Sequence, residues 1–131
     1  MVDLLEVRVL PVGPRFPAQV RPWVNGQDAV QDAVGDGGRG PLAVDALPAQ
    51  RPSLLRATST ARRVQLGEPE CIGGCCGYLS VVVHRIGAIV QWTDWQVPRT
   101  GTRLPEFYSG ADEYDAELTR AEADRSWRPP P

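Results

Sequence analysis

Residues 78–95, YLSVVVHRIGAIVQWTDW, constrain the fold more than any other part of this chain. β-Branched and aromatic residues alternate with polar ones on both sides of a central glycine, which predicts an antiparallel hairpin with one buried face. A two-residue turn at Ile86-Gly87 pairs Arg85 with Ala88, Val83 with Val90, Val81 with Trp92 and Leu79 with Asp94. Leu79, Val81, Val83, Val90 and Trp92 then form one apolar patch, the expected core. Tyr78, Ser80, Val82, His84, Ile89, Gln91, Thr93 and Trp95 share the other face. That face is mixed, so it is half exposed or meets a partner.

The remainder of the chain supplies fewer signals. In DLLEVRVLPV, Leu5, Val7 and Val9 alternate with Glu6 and Arg8, a half-buried strand. AQVRPWVNG reads as a second strand, with Pro22 placing it at an edge or bulge and Asn25-Gly26 as a turn. In QDAVQDAV, Ala29, Val30, Ala33 and Val34 cluster at helical spacing before Gly35; a short helix is expected, with a hairpin return strand as the alternative. Residues 35–53 read as loop. Pro41 follows its glycines where a phosphate loop would open a helix, so this is a connector, with Arg39 as the one candidate anion contact. A strand is expected at 54–57 or 62–66. SGADEYDAELTRAEADRSW, 109–127, reads as a helix with a Ser109/Asp112 capping spacing and a Tyr114, Leu118, Ala121 stripe. Pro129-Pro130-Pro131 cannot be helix interior.

These elements predict one α+β domain over residues 1–131: strands and a short helix in 1–34, loop in 35–53, central strands and hairpin in 54–98, and the C-terminal helix in 109–127. The expected sheet is antiparallel, of about five strands, with the C-terminal helix packed on it and a short helix near the N-terminal hairpin.

Composition narrows the function classes. The chain holds 14 basic and 16 acidic residues, and every basic residue is Arg. Only Arg62 and Arg63 are adjacent, so the basic stripe of a nucleic-acid binder is missing. No apolar run reaches the roughly 18 residues needed to span a bilayer. Asp3, Glu6 and Arg8 interrupt the opening residues as no signal peptide would, so a cytoplasmic protein is expected.

The stretch EPECIGGCCGYLSVVVHR, 68–85, holds all three cysteines and the one histidine. Cys71, Cys75, Cys76 and His84 sum to a zinc inventory. The spacing, C-x3-C-C, lacks the usual C-x2-C knuckle. A strand over 78–85 puts His84 roughly 25 Å from Cys76 at about 3.3 Å per residue. A metal would have to recruit Glu68, Glu70 or Asp94, and Cys71, Cys75, Cys76 and Asp94 are the alternative zinc set. With His84 at the far end, no Cys–His dyad is available for nucleophilic catalysis. An odd number of cysteines in a reducing compartment argues against a disulfide framework. The favoured reading is a glycine-lined corner at Gly73, Gly74 and Gly77, with the cysteines buried beneath it as small hydrophobes and no cofactor.

LLRAT (54–58), EPECIGGCCGYLSVVV (68–83), VQWTDW (90–95) and YDAELTRAEADRSW (114–127) together resemble a set of short actinobacterial proteins of unknown function. The resemblance covers roughly the C-terminal 60% of the chain. The CxxGCCG and RAEADRSW strings carry it. It implies a bacterial cytosolic protein and no particular activity.

The function expected from these residues is non-enzymatic binding of another protein, of the inhibitor or immunity kind, by a monomer or homodimer. Tyr78 and Trp95 on the mixed face, with Glu113 and Glu117 from the acidic half of the C-terminal helix, are the candidate contacts. A solvated helix face is the plainer account of the acids. A small metal- or thiol-based module at the cysteine corner is the alternative. An enzyme is the least supported class.

Overall fold

The computed structural model describes residues 2–99 and 101–128, so the prolines at 129–131 lie outside the described residues. The elements follow as β1 (Leu5–Leu10), β2 (Gln19–Val24), β3 (Gln27–Asp28), α1 (Ala29–Val34), α2 (Ala43–Ala46), β4 (Arg62–Gly67), α3 (Gly73–Cys76), β5 (Leu79–Ile86), β6 (Ile89–Gln96), β7 (Phe107–Gly110) and α4 (Ala111–Ala123). The expected α+β class is observed. Instead of one sheet of about five strands there are two antiparallel sheets, ordered β1-β2-β3 and β4-β5-β6-β7.

The hairpin β5–β6 forms, but its turn is Gly87-Ala88 rather than Ile86-Gly87. Ile86 pairs with Ile89, Arg85 with Val90 and Val83 with Trp92. Gly87 sits at φ 59°, the positive value a tight hairpin turn needs at its first central residue, where Ile86 would be strained. The slip is two residues, so the side chains keep their faces. Leu79, Val81, Val83, Val90 and Trp92 are all fully buried, as expected.

Trp95 is the correction. It is 3% exposed and belongs to the core, not to the mixed face. Between the pairs Val82–Thr93 and Ser80–Gln96 the register shifts by one residue, so Asp94 and Trp95 together oppose Val81. Asp94 takes φ 51° at this bulge, and the alternation downstream inverts. Trp95 then packs at 6.0 Å from Trp92, edge to face, and its Nε1 donates to the Pro105 carbonyl at 3.0 Å.

The N-terminal sheet follows its sequence signals. Asn25 (φ 52°) and Gly26 (φ 82°) make the turn that returns β2 to β3. Pro22 lies opposite Val7, whose N–H and carbonyl both point away from β2, so its missing donor costs no bond to β1. Asp28 ends β3 and caps α1, accepting from the Val30 and Gln31 amides at 3.0 and 3.1 Å, and Gly35 closes the helix. Both the helix and its alternative are thus partly present: two residues of strand, then one and a half turns of helix.

Beyond α1, the Gly-rich segment lies against β2. Val20 N–H donates to Pro41 O at 2.8 Å, and a Cβ added at Gly40 would stand 1.9 Å from Val20 O. Arg39 takes no free anion role: it pairs with Glu68 at 2.7 Å and lies over the Phe16 ring.

α4 buries Ala111, Tyr114, Leu118 and Ala121, the expected stripe. Its start differs. Ser109 is buried inside β7 opposite Val90, and Gly110 is the N-cap with no side-chain cap bond, so there is no Ser109/Asp112 capping box. The Ala111 amide donates instead to Ala88 O at 2.8 Å, which hangs the helix from the hairpin turn. The helix ends at Ala123, short of the expected Trp127. Buried side chains of both sheets, α1, α2 and α4 form one continuous core.

Candidate functional site

The residues singled out from sequence do not converge. Tyr78 is exposed just before β5, whereas Glu113 is exposed at the start of α4, beside the hairpin turn. The eight residues of β5 separate those two ends by roughly 25 Å at about 3.3 Å per residue. Trp95 is buried in the core. Glu117 is occupied within the fold: its Oε2 accepts from the Val7 amide at 2.6 Å, and Arg120 pairs with it while donating to Val7 O at 2.7 Å. That ion pair takes up the outward N–H and carbonyl of Val7, where a neighbouring strand would otherwise pair with β1.

The cysteine corner also differs from expectation. Ile72 (φ 74°) and the single turn α3 fold Cys76 back on Cys71, and the two form a disulfide across a Cα separation of 6.6 Å. Cys75 is an exposed free thiol. The cysteines are therefore not small hydrophobes buried under the corner, and a disulfide is present where none was expected. The local geometry overrides the parity argument, because a pair closed within one tight turn needs no framework. Cys71 and Cys76 being joined and Asp94 paired with Arg63, the alternative zinc set is not assembled, nor among the described residues is any group of three or more metal-ligating side chains. His84 stands near the hairpin turn, its Nε2 3.0 Å from the Ser59 carbonyl oxygen.

A concave surface lies elsewhere, along α2 and the segment 48–62. Two adjoining cavities, of about 530 and about 500 Å3, share Asp45 and Leu54 as walls. The first is flanked by Arg51, Arg56 and Arg62. The second runs over Phe16, Pro41 and Leu42. The wall of the first cavity is anchored rather than loose. Ser53 N–H donates to Glu122 Oε2 at 2.7 Å, Arg56 pairs with Glu122 Oε1 at 2.5 Å and donates to Thr119, and Arg62 Nη2 donates to the Leu54 and Arg56 carbonyls at 2.7 and 2.6 Å. The Arg56 guanidinium beside Glu122 holds that carboxyl below the usual range, with the Ser53 amide adding to the effect, and Glu122 raises the Arg56 guanidinium in turn.

Sequence reasoning missed this cleft. Arg51, Arg56 and Arg62 are five and six positions apart in a stretch with no period of two or 3.6, so nothing in the pattern puts them on one wall. The one available signal was Pro48 and Pro52, which stiffen the stretch.

A smaller cavity of about 110 Å3 lies between Val24, Trp95, Leu104 and Phe107. No helix among the described residues is long and apolar enough to cross a membrane. No protein-family model, no curated protein and no solved structure matches the chain.

Proposed function

We propose that the protein is a non-enzymatic binding protein that holds another protein in the cleft along α2, in the manner of an inhibitor or immunity protein. The anchored two-part cleft carries this reading. An apolar floor beside a few fixed polar groups is how recognition surfaces gain both affinity and orientation. Leu42 (40% exposed) lines the second cavity as an apolar group that a partner would cover, and Val44 (55% exposed) stands nearby on α2. The contact surface thus moves from the Tyr78, Trp95, Glu113 and Glu117 set to α2 and the segment beyond it.

Capture of a partner from lysate by cross-linking, compared between the wild type and Leu42→Glu, tests the reading. The expected result is one specific cross-linked species, lost in Leu42→Glu while the thermal melt is unchanged. Undiminished capture by the variant would remove the cleft from the interface.

A thiol-based module is the second reading, favoured by the exposed Cys75 beside the Cys71–Cys76 disulfide. It requires Cys75 to exchange with an added aromatic disulfide reagent faster than an unstructured peptide thiol does. An ordinary rate would retire it.

A further inference from the structure

We infer that the partner segment held in the cleft is acidic, with a carboxylate seated between Arg51 and Arg62; this rests on the binding reading above. The carrying observation is uncompensated charge on a preorganised wall. Arg51, Arg56 and Arg62 flank the first cavity against one carboxylate, Asp45. Arg56 is neutralised by Glu122 at 2.5 Å, with Asp115 at 3.7 Å. Arg51 is exposed and has no hydrogen bond or ion pair among the described residues. Arg62 makes no ion pair among them either: its Nη2 donates to two main-chain carbonyls. Those two bonds fix the guanidinium plane and leave Nε and Nη1 for a ligand, so little side-chain freedom is lost on binding. Arg62, held in this way, and Arg51, which no bond ties down, line the same cavity and suit a carboxylate through charge-assisted, forked hydrogen bonds.

The adjoining cavity decides between an acidic peptide and a small anion. An inorganic anion would fill only the arginine end. The second cavity continues from it over Phe16, Pro41 and Leu42, and its own cation, Arg39, is already paired with Glu68. An extended segment with an acid and, two residues on, an apolar side chain satisfies both halves, since alternate side chains of such a segment share one face and enter separate pockets. Asp45, on the shared wall, repels a carboxylate at the junction and so confines the acid to the Arg51–Arg62 end.

The probes are two fluorescein-labelled peptides of about ten residues, one repeating Glu-Ser-Leu-Ser, which puts Glu and Leu in turn along one face of the extended chain, and one with Lys replacing each Glu, read by anisotropy. The Glu peptide is expected to bind at least about tenfold more tightly than the Lys peptide, and to weaken as NaCl rises from about 50 to about 300 mM. Arg51→Glu is expected to reduce affinity for the Glu peptide at least about tenfold. Arg51 makes no bond to another described residue, so this variant should fold as the wild type does. Arg125→Glu, beyond the end of α4, should bind as the wild type does. Equal binding of both peptides, no effect of Arg51→Glu, or displacement of the Glu peptide by micromolar pyrophosphate would overturn the inference. If Leu42→Glu abolishes capture of a cellular partner and Arg51→Glu leaves it intact, the binding reading stands and the acidic-segment inference falls. If neither variant changes capture, both fall.

Discussion

Arg63 holds Asp94 from both sides: its Nη1 donates to the Asp94 carbonyl at 3.0 Å, and its Nη2 meets the Asp94 carboxylate at 2.5 Å. The clamp reaches across β5 from β4, and the same Nη1 also contacts Ser80 Oγ at 3.0 Å. It fixes the bulge that turns Trp95 inward. Aspartate suits the position, because its short polar side chain tolerates the left-handed backbone that a β-branched residue resists. Asp94→Val should therefore destabilise the fold by about 1–3 kcal/mol, chiefly through backbone strain. Trp95→Ala should cost about 3–5 kcal/mol, in the same range as Trp92→Ala. Urea denaturation of the three variants checks this. A near-neutral Trp95→Ala would mean the bulge does not hold the ring in the core.

Tyr114 joins three parts of the core. Its hydroxyl accepts from Trp92 Nε1 at 3.1 Å and donates to Leu55 O at 2.5 Å. Burial pushes the phenol far above its usual range. Tyr114→Phe keeps the ring but leaves a buried indole N–H and a buried carbonyl unpaired, an expected loss of about 2–3 kcal/mol. The raised pKa means that the stability Tyr114 contributes is complete below its unfolded value of about 10 and declines as pH rises beyond it. Denaturant melts of the Phe variant give the magnitude; a loss under about 0.5 kcal/mol would mean that the chain Trp92–Tyr114–Leu55 carries little energy.

The core was legible where a local period decides it. Leu79, Val81, Val83, Val90 and Trp92 could be assigned because alternation survives even a two-residue slip of the turn. Trp95 could not, because the shift of face depends on Arg63, thirty-one residues away along the chain. The stripe of α4 was visible, but its start was not: Ser109 reads as a cap and is instead held in β7 by pairing with Val90. The division into two sheets was not legible either: the Asp3 amide meets the Tyr108 carbonyl at 2.7 Å across 105 residues, and no local pattern encodes that contact. The same holds for the cleft, where bonds to Glu122 and to main-chain carbonyls place Arg56 and Arg62 on the wall that Arg51 also lines, although the three look scattered in sequence.

Arg21 is the hub under the glycine-rich segment. It is 7% exposed and donates to Gln19 at 2.9 Å, Asp28 at 3.0 Å and Gly38 O at 2.8 Å. Gln19 also accepts from the Gly40 amide at 2.8 Å, so one network fixes both β2 and the segment beside it. Arg21→Met strands the Asp28 carboxylate and should cost about 3–5 kcal/mol. Gly40→Ala should be as severe, since the new methyl would meet a backbone oxygen that cannot move aside. Thermal unfolding tests both, and tolerance of Gly40→Ala would show that the segment is not held against β2.

Thiol counting separates the three cysteines. Cys75 is exposed and free, while Cys71 and Cys76 are joined. The oxidised native protein should take up one equivalent of maleimide, and the reduced protein three. Since Cys75 buries nothing, Cys75→Ala should change stability by under about 0.5 kcal/mol. Labelling of all three before reduction would show that the disulfide is absent in solution.

Acid should loosen the cleft wall before it unfolds the core. Arg56, and then the Ser53 amide, lower the Glu122 pKa in the folded protein. Near pH 4 the unfolded chain therefore binds more protons at Glu122 than the native chain does. The stability from this contact is complete above the unfolded value of about 4.3 and is lost as pH falls through the lower, folded one. Asp3, lowered by Asn25 and the Tyr108 amide, and Asp124, lowered by Ser126, titrate with the same sign and leave a residual slope. Glu122→Gln should lower the Tm by a few degrees at neutral pH and flatten its decline between about pH 5 and about pH 3, so that variant and wild type converge in acid. Melts across that range decide the matter: parallel curves would show that the Arg56–Glu122 contact does not hold residues 53–56 against α4. Because the same contact neutralises Arg56, Glu122→Gln should also make the cleft more positive and tighten binding of the Glu-containing peptide at neutral pH, a change opposite in direction to its effect on stability.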